Sequence, residues 1–264
     1  MANLDFKGRV AIVTGASLGI GRATAVALGQ AGASVVVNYH KHEEAADEVL
    51  QAIRDSGSRA IKHQADVSDP QAVDGMIARA VEEFGKIDIT ISNAAYSDRD
   101  LFHLADLERF RRTVEVSLWG AFYLLRASSL QMIRQKSGGA VVLVSSPHAF
   151  LPVPRSMAYN MSKAALESMA KTAAIELAEH RIRVNIMQPG WTDTPGERKF
   201  NTEQELQNAG TQIPLGRLGT SEEMASGILT LCDPHHEYMT GATLLIDGGI
   251  SLPWWAQRGS ALSP

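Results

Sequence analysis

The sequence predicts an α/β fold: a single doubly wound parallel sheet of about seven strands, with helices on both faces. Short β-branched runs alternate with helical patterns along the chain, which is typical of right-handed βαβ units. Several strands are apolar nearly throughout, as expected where helices cover both faces of a sheet. No linker rich in Pro, Gly or Ser interrupts the pattern. We therefore expect one domain over residues 1–264.

The predicted elements follow one another in a regular order. The strands are Arg9–Thr14, Ser34–Asn38, a weaker one near Arg59–Lys62, Ile87–Ile91, Ala140–Val144, Ile182–Ile186 and Thr243–Ile246. The helices are indicated by apolar residues that recur every three or four positions and therefore share one face. They are predicted at Arg22–Ala31, Glu43–Arg54, Val73–Phe84 and Ala164–Leu177.

One long stretch, residues 188–219, shows no clear period and is rich in proline. A loop of that length inside a compact domain is usually functional. We therefore expect a substrate-binding lid around residues 190–215, although no motif within it names a substrate.

Composition excludes several classes of protein. With 25 basic and 29 acidic residues, the chain lacks the positive charge that nucleic-acid binding requires. The single cysteine, Cys232, cannot form an internal disulfide, and we expect it to be a small buried hydrophobe. His235 and His236 are expected in a solvated loop rather than at a metal site, since no carboxylate or cysteine cluster completes one. The polar start of the chain lacks the apolar segment of a signal peptide, and no apolar run approaches the length of a membrane helix. Cytoplasm is the expected location.

A glycine-rich turn lies between the first predicted strand and the helix that follows it. Its glycines follow the spacing G-x-x-x-G-x-G. Glycine permits a tight turn and a close approach of the backbone to a pyrophosphate, and the helix N-terminus offers free N–H groups. A glycine turn that serves only packing is the alternative, but the position between strand and helix favours a dinucleotide. The expected contacts are Gly15, Ser17, Leu18, Gly19, Ile20 and Gly21.

The residues after the second strand favour NADP over NAD. An acidic residue there would bind the 2′-hydroxyl of NAD, but Asn38, Tyr39, His40 and Lys41 include no carboxylate. Lys41 and a partly protonated His40 could accept a 2′-phosphate instead. A solvated basic turn is the alternative, and use of both cofactors stays open.

A polar group follows the weak third strand. Asp66 could accept a hydrogen bond from the adenine amino group, next to Val67. Capping of the following helix by Ser68 or Asp69, just before Pro70, is the competing explanation for polar residues here.

Three residues form a candidate catalytic group. Tyr159 and Lys163 are four positions apart, on one face of a helix. A free phenol is a poor base at neutral pH, but a nearby ammonium and a cationic nicotinamide lower its pKa. Ser146 follows the Ala140–Val144 strand, at the edge where open α/β sheets bind ligands. Ser145 is its rival, but its offset from Tyr159 is wrong by one residue.

Taken together, these segments resemble the short-chain dehydrogenase/reductase family from Lys7 to about Ile250. The matching residues are Thr14-Gly-x-x-x-Gly-Ile-Gly21, Asp66, Ser92-Asn-Ala-Ala95, Ser146, Tyr159-x-x-x-Lys163 and Pro189-Gly-Trp-Thr-Asp-Thr194. Within the family, the chain is most similar to bacterial glucose 1-dehydrogenases. That narrower resemblance is carried by Asn38-Tyr39, Ser145-Ser-Pro-His148, Pro152, Pro154 and Asp247-Gly-Gly. Members with other substrates share such segments.

The resemblance implies a Rossmann-like domain and hydride transfer between nicotinamide C4 and a carbon bearing a hydroxyl or carbonyl. It implies that Tyr159 is the acid/base, that Ser146 binds the substrate oxygen, and that Lys163 binds the nicotinamide ribose. It further implies a homotetramer that acts on a small-molecule alcohol or carbonyl substrate. The other implied cofactor contacts are Asp66, Val67, Asn93, Ala94, Pro189, Gly190, Thr192 and Thr194.

The chain departs from the family pattern at Ser117 and at Ala95. The family usually has Asn in place of Ser117, where it supports a helix kink and a water that relays protons to the lysine. Serine can still hold a water, so we count Ser117 with the catalytic residues and expect a slower enzyme. Ala95 replaces a glycine, which costs little unless that position needs a positive φ.

A sugar or other polyol is the expected substrate. One rival function is reduction of 3-oxoacyl thioesters, for which Arg198 and Lys199 give only a hint of a basic cleft mouth. Another is a nicotinamide-binding sensor with relic chemistry, which Ser117 allows and the intact catalytic group argues against. Three further residues are predicted beside the substrate cleft: His148, Arg155 and Trp191. Trp254 and Trp255 are predicted at a subunit interface.

Overall fold

A computed structural model describes residues 4–252 of the chain. Within that range, seven parallel strands form one sheet in the order β3-β2-β1-β4-β5-β6-β7, which confirms the predicted doubly wound fold. The strand order reverses between β1 and β4, so the crevice for a ligand lies at the carboxyl ends of these two strands. The strands are β1 (Val10–Val13), β2 (Ser34–Tyr39), β3 (Ala60–Gln64), β4 (Ile89–Ser92), β5 (Gly139–Val144), β6 (Ile182–Pro189) and β7 (Thr243–Ile246).

Eight α-helices accompany the strands within residues 4–252. They are α1 (Gly19–Gln30), α2 (Glu43–Asp55), α3 (Pro70–Phe84), α4 (Leu107–Val114), α5 (Gly120–Gln135), α6 (Met157–Glu176), α7 (Glu203–Thr211) and α8 (Ser221–Cys232). A single π-helical turn, Glu115–Trp119, joins α4 to α5. No helix in the described part of the chain is long and apolar enough to cross a membrane.

Two buried clusters cover the two faces of the sheet. On one face, Val35 and Val37 of β2 pack with α1, α2 and α8. On the other, Val36 of β2 packs with α3, α5 and α6. Alternate residues of one strand therefore enter different cores, which explains why the strands read as continuous apolar runs. Cys232 is buried in the first cluster, as predicted.

The lid region differs most from the sequence prediction. The stretch predicted to lack a period contains α7, whose first turn is fixed by a capping box between Thr202 and Glu205. The same motif, Thr220 with Glu223, begins α8. Both motifs are readable in the sequence, but α7 has only nine residues and three buried ones, so its apolar period is weak.

The starts of two helices bear on the site. α1 begins at Gly19, inside the glycine turn and earlier than predicted. α6 begins at Met157 and carries both Tyr159 and Lys163, as their spacing predicts. Tyr159 therefore lies in the first turn of α6 and Lys163 in the second. Trp254 and Trp255, predicted at an interface, lie outside the described residues.

Candidate active site

The glycine turn is packed too tightly to admit side chains. A Cβ built at Gly21 would overlap the carbonyl oxygen of Gly15 and lie 2.5 Å from Asn93 Nδ2. Gly19 has a φ of +55°, a conformation that glycine adopts without strain. Leu18 precedes α1 and makes no capping hydrogen bond through its side chain to any described residue. The first N–H groups of α1 therefore face the crevice and are available to an anion.

Two asparagines hold the turn in place. Asn38 is 2% exposed; its Oδ1 accepts from the Gly15 N–H at 3.2 Å, and its Nδ2 donates to the Ala65 carbonyl at 3.1 Å. Asn93 Nδ2 donates to the carbonyls of Thr14 and Gly15 at 2.9 and 3.2 Å. The predicted cofactor residues Asn38 and Asn93 thus use their amides to shape the turn from below.

Of the residues after β2 that were considered as contacts for a 2′-phosphate, only some are exposed. The Tyr39 side chain is buried, and burial together with a hydrogen bond to Glu43 raises the pKa of its phenol. Asn38 is turned inward as described above. His40 and Lys41 are exposed at the end of β2, so their side chains remain the candidates for a 2′-phosphate.

Asp66 is held by a local network. Its carboxylate accepts from the N–H and hydroxyl of Ser68 at 3.0 and 2.8 Å and from Arg112 at 2.6 Å. Burial works to raise the pKa of Asp66, but these hydrogen bonds outweigh it and hold the pKa below its usual value. Asp69 caps α3, so the capping explanation applies to Asp69, while Val67 is buried in the core.

The predicted catalytic residues meet at the carboxyl end of β5. The Nζ of Lys163 donates to the Val144 carbonyl at 2.6 Å and lies 5.2 Å from the centroid of the Tyr159 ring. Burial lowers the pKa of Lys163 to about 8, opposed by the nearby Glu167 carboxylate. Ser146 Oγ accepts from the His148 N–H at 3.3 Å. That hydrogen bond leaves the serine proton free to be donated elsewhere.

The phenol of Tyr159 is not activated by its protein neighbours alone. Burial raises its pKa, and the Glu197 carboxylate raises it further, while Arg99 works in the opposite direction. The Lys163 ammonium is directed at a backbone carbonyl, as described above. The lowering expected from the sequence therefore requires additional positive charge beside the ring.

Ser145, the rival serine, is directed away from Tyr159. Its hydroxyl donates to Glu167 Oε1 at 2.7 Å, and the same oxygen accepts from Gln188 Nε2. Glu167 therefore links the ends of β5 and β6 to the third turn of α6. This arrangement assigns Ser146, rather than Ser145, to the crevice.

Ser117 lies within the π turn and is 1% exposed. Its hydroxyl donates to the Tyr96 carbonyl at 2.7 Å and accepts from the Tyr96 N–H at 2.9 Å. The π turn therefore forms with serine at this position, and Ser117 joins it to the segment after β4. One lone pair of the oxygen remains for a water, so the proton relay stays a prediction. Ala95 has no positive φ, which explains why the extra methyl is tolerated.

The segment after β6 forms the opposite wall of the crevice. The Gly190 N–H donates to the Ile246 carbonyl at 2.8 Å, and Thr192 Oγ1 donates to the Gly190 carbonyl at 3.0 Å. Thr194 faces the glycine turn, because a Cβ at Gly19 would lie 3.3 Å from its Cγ2. A glycine turn and an uncapped helix N-terminus, faced by the Thr194 side chain, fit a dinucleotide.

An ion pair that sequence reasoning missed spans the cleft above Tyr159. The Arg99 guanidinium donates to both carboxylate oxygens of Glu197 at 3.0 Å and lies 4.3 Å from the centroid of the Phe200 ring. The Arg155 Nε donates to the Arg99 carbonyl at 3.4 Å. The pair joins residues 98 positions apart, so no local pattern in the sequence indicates it.

The three residues predicted beside the substrate cleft have different positions. The His148 ring packs edge-to-face with Tyr159, their centroids 5.3 Å apart. Arg155 reaches the cleft only through Arg99. Trp191 lines a cavity of about 50 Å³ together with Leu215, Ile246 and other residues. Over residues 4–252, no three metal-ligating side chains are arranged to hold an ion.

The chain is similar to known proteins in sequence and in fold. Residues 15–251 match the family described as Enoyl-(Acyl carrier protein) reductase. An L-rhamnose 1-dehydrogenase (NAD(P)(+)) of Sphingomonas sp. (strain SKA58) is 38% identical over 92% of this chain and 96% of its own length. Glucose 1-dehydrogenase 2 of Bacillus subtilis (strain 168) is 34% identical over 94% of this chain and 96% of its own length. The crystal structure of a short-chain type dehydrogenase/reductase from Mycobacterium marinum aligns with a TM-score of 0.90 and 34% identity, over 95% of this chain and 98% of that one.

The chain belongs to the short-chain dehydrogenase/reductase family. The resemblance stated from the sequence is thereby confirmed, including its similarity to a glucose 1-dehydrogenase. As a short-chain dehydrogenase/reductase, the protein is an oxidoreductase that transfers a hydride between a nicotinamide cofactor and a carbon bearing a hydroxyl or carbonyl.

Proposed function

We propose that the protein is an NADP-preferring dehydrogenase of a sugar or another small polyol, with Ser146, Tyr159 and Lys163 as its catalytic residues. The observation that carries the proposal is the meeting of these three side chains at one end of β5, beside the glycine turn. The relatives named for rhamnose and glucose support the substrate class.

Each catalytic residue has a distinct task in this proposal. A bound nicotinamide takes or gives the hydride at its C4 and, when oxidised, brings positive charge. In alcohol oxidation, Tyr159 takes the hydroxyl proton while the C–H bond breaks and the carbonyl forms. Ser146 donates its free proton to the reacting oxygen. Lys163 donates one of its three N–H bonds to the Val144 carbonyl, so two remain for the ribose hydroxyls.

The preference for NADP rests on the end of β2. His40 and Lys41 are exposed there, and neither Asn38 nor Tyr39 supplies a carboxylate that would bind a ribose 2′-hydroxyl. A dianionic 2′-phosphate gains from both basic groups, while NAD gains little from either.

Nicotinamide absorbance during turnover tests this proposal. A panel of sugars, polyols and 3-oxoacyl esters is assayed with NAD and with NADP. We expect sugar- or polyol-dependent reduction, with kcat/KM about 10-fold higher for NADP, and a Lys41→Ser variant in which that preference falls several-fold. Equal use of both cofactors by the parent chain would contradict the NADP preference. Turnover of the 3-oxoacyl esters alone would contradict the substrate class.

Reduction of 3-oxoacyl thioesters is the second candidate, since the matching family is described by an acyl carrier protein. Such an enzyme needs free basic residues at the cleft mouth to receive an acidic carrier. Arg198 is paired with Asp193 at 2.8 Å and with Glu203, and Arg99 is paired with Glu197. Of the two residues that gave the hint of a basic mouth, Arg198 is neutralised in this way, and only Lys199 has no ion pair with any residue in the range 4–252. One free lysine is a weak basis for binding an acidic carrier, which favours the polyol.

We propose that residues 190–215 act as the lid predicted from the sequence. The Arg99–Glu197 pair supports this role, because it joins the segment after β4 to the beginning of the lid directly over the cleft. Both side chains are partly shielded from solvent, so the pair is stronger than an exposed one.

Glu197→Gln is expected to loosen the lid without unfolding the domain. The change removes the charge on one side of the cleft, so amide hydrogen exchange in residues 197–211 should become about 3-fold to 5-fold faster, while the free energy of unfolding falls by less than about 1 kcal/mol. Glu203→Gln is the matched control, since Glu203 pairs with Arg198 inside the lid. Equal exchange in both variants would contradict a bond across the cleft.

We also propose a homotetramer in the cytoplasm. Exposed aromatic and methionine side chains lie at the end of the π turn, at the start of α5 and on the first two turns of α6. Such a patch is unusual for the surface of a monomer. The side chains are Trp119, Phe122, Met157 and Met161.

A further inference from the structure

The imidazole of His148 is held in one tautomer by its neighbours. Its Nδ1 lies 2.7 Å from Asn160 Oδ1. Asn160 cannot be flipped without loss, because its Nδ2 donates to the Val153 carbonyl at 3.0 Å. The amide oxygen therefore faces the ring and accepts from it, so Nδ1 carries the proton. Nε2 is left as a hydrogen-bond acceptor.

That acceptor belongs to a ring that packs against Tyr159, the proposed acid/base. Among residues 4–252, Nε2 has no hydrogen-bond partner. It is also not one of the fully buried polar atoms that lack a partner, so a ligand can reach it. It is on the side of the ring away from Asn160. The ring is edge-to-face with Tyr159, and the His148 N–H holds Ser146. His148 therefore contacts both residues that would hold the reacting oxygen, which makes its Nε2 a candidate partner for a substrate group next to that oxygen.

We propose that His148 is a specificity-determining residue, whose Nε2 accepts a hydrogen bond from a hydroxyl on the carbon adjacent to the reacting carbon. The inference rests on the proposed function and narrows its substrate class to vicinal diols and their α-hydroxycarbonyl products. Sugars oxidised at C1 belong to that class, because C2 bears a hydroxyl. Simple secondary alcohols and 3-oxoacyl esters lack that hydroxyl.

The charges around the ring keep the acceptor available at neutral pH. Burial lowers the pKa of His148; Asn160 opposes this shift through its hydrogen bond. The charged groups that face the ring are Arg99 after β4, Glu197 in the lid and Lys163 on α6, of which the two cations lower the pKa and Glu197 raises it. The lowered pKa of His148 favours the neutral imidazole, and acidification would make it a donor at both nitrogens.

Paired substrates that differ by one hydroxyl test the inference. With NADP as cofactor, kcat/KM is measured for butane-2,3-diol and for butan-2-ol. The parent chain should prefer the diol about 10-fold, mostly through KM, and His148→Ala should reduce that preference to within about 2-fold. The preference should also fall on acidification, when the imidazole gains its second proton. His180→Ala is the control, since His180 is at the far end of α6.

A second readout separates this inference from the catalytic proposal. In the ¹⁵N-labelled protein, the His148 signals should show a protonated Nδ1 and an unprotonated Nε2. In the presence of NADP, the diol should shift the Nε2 signal and the mono-alcohol should not. Turnover without any diol preference, or an Nε2 signal indifferent to the diol, would overturn the role of His148. An Nε2 shift without turnover would instead overturn the catalytic proposal and leave this one standing.

Discussion

Tyr159→Phe is expected to lower kcat/KM by about 10³-fold with every substrate that the parent chain oxidises. The change removes only the hydroxyl, and with it the group that takes and returns the proton. Cofactor affinity, measured by quenching of the intrinsic fluorescence, should change by less than about 3-fold, because the glycine turn and Lys163 are untouched. The free energy of unfolding should be nearly unchanged, since the ring still packs against His148.

Tyr238→Phe is the matched control for this prediction. Tyr238 is fully exposed and far from the cleft, so the same loss of a hydroxyl should leave kcat/KM as it is. A Tyr159→Phe protein that retains activity within about 10-fold of the parent would place the acid/base elsewhere. Full biological effect with no turnover would favour the nicotinamide-binding sensor.

The fold could be predicted because its determinants are local. Each strand is a short β-branched run, and the sheet order follows from repeated right-handed βαβ units. The placement of the candidate catalytic group could be predicted in the same way, because Tyr159 and Lys163 share a helix and Ser146 is at the end of one strand. Its catalytic role stays a prediction. In each case the spacing along the chain determines the geometry.

The rest of the site could not be predicted, because it depends on contacts between distant segments. Arg99 and Glu197 are far apart in sequence and meet only when the lid folds over the cleft. Asn38 was predicted as a cofactor contact from its position after β2. Its side chain is oriented inward because the Gly15 N–H and the Ala65 carbonyl need hydrogen-bond partners there. The sequence alone does not show that these two backbone groups lie next to Asn38.

Ser117 shows how a departure from a family pattern is absorbed. The sequence suggested a defect, because serine is shorter than asparagine. In the fold, the π turn brings the serine hydroxyl against both backbone groups of Tyr96, and the two hydrogen bonds are satisfied. The substitution changes the number of polar atoms left for a water, so we expect it to affect the rate rather than folding.

Gly21→Ala is expected to have the largest effect on stability of any single methyl added to the glycine turn. The new Cβ would overlap the Gly15 carbonyl oxygen and crowd Asn93 Nδ2. Neither the Gly15 carbonyl nor the Asn93 side chain can move away easily. Asn93 is hydrogen-bonded to Thr14 and Gly15, and Asn38 holds the Gly15 N–H. We expect a loss of about 3 kcal/mol in the free energy of unfolding, measured by urea denaturation.

Gly75→Ala separates this steric effect from the general effect of replacing glycine in a helix. Gly75 lies inside α3, has no atom within 4 Å of a built Cβ, and has an ordinary helical φ. Alanine there should stabilise the protein by about 0.5–1 kcal/mol, through the lower entropy of the unfolded chain. The two variants therefore differ in sign although their chemistry is the same. If Gly21→Ala were as stable as the parent and bound NADP equally well, the tight turn would not be the cofactor cradle, because a pyrophosphate needs the backbone surface that the methyl would cover.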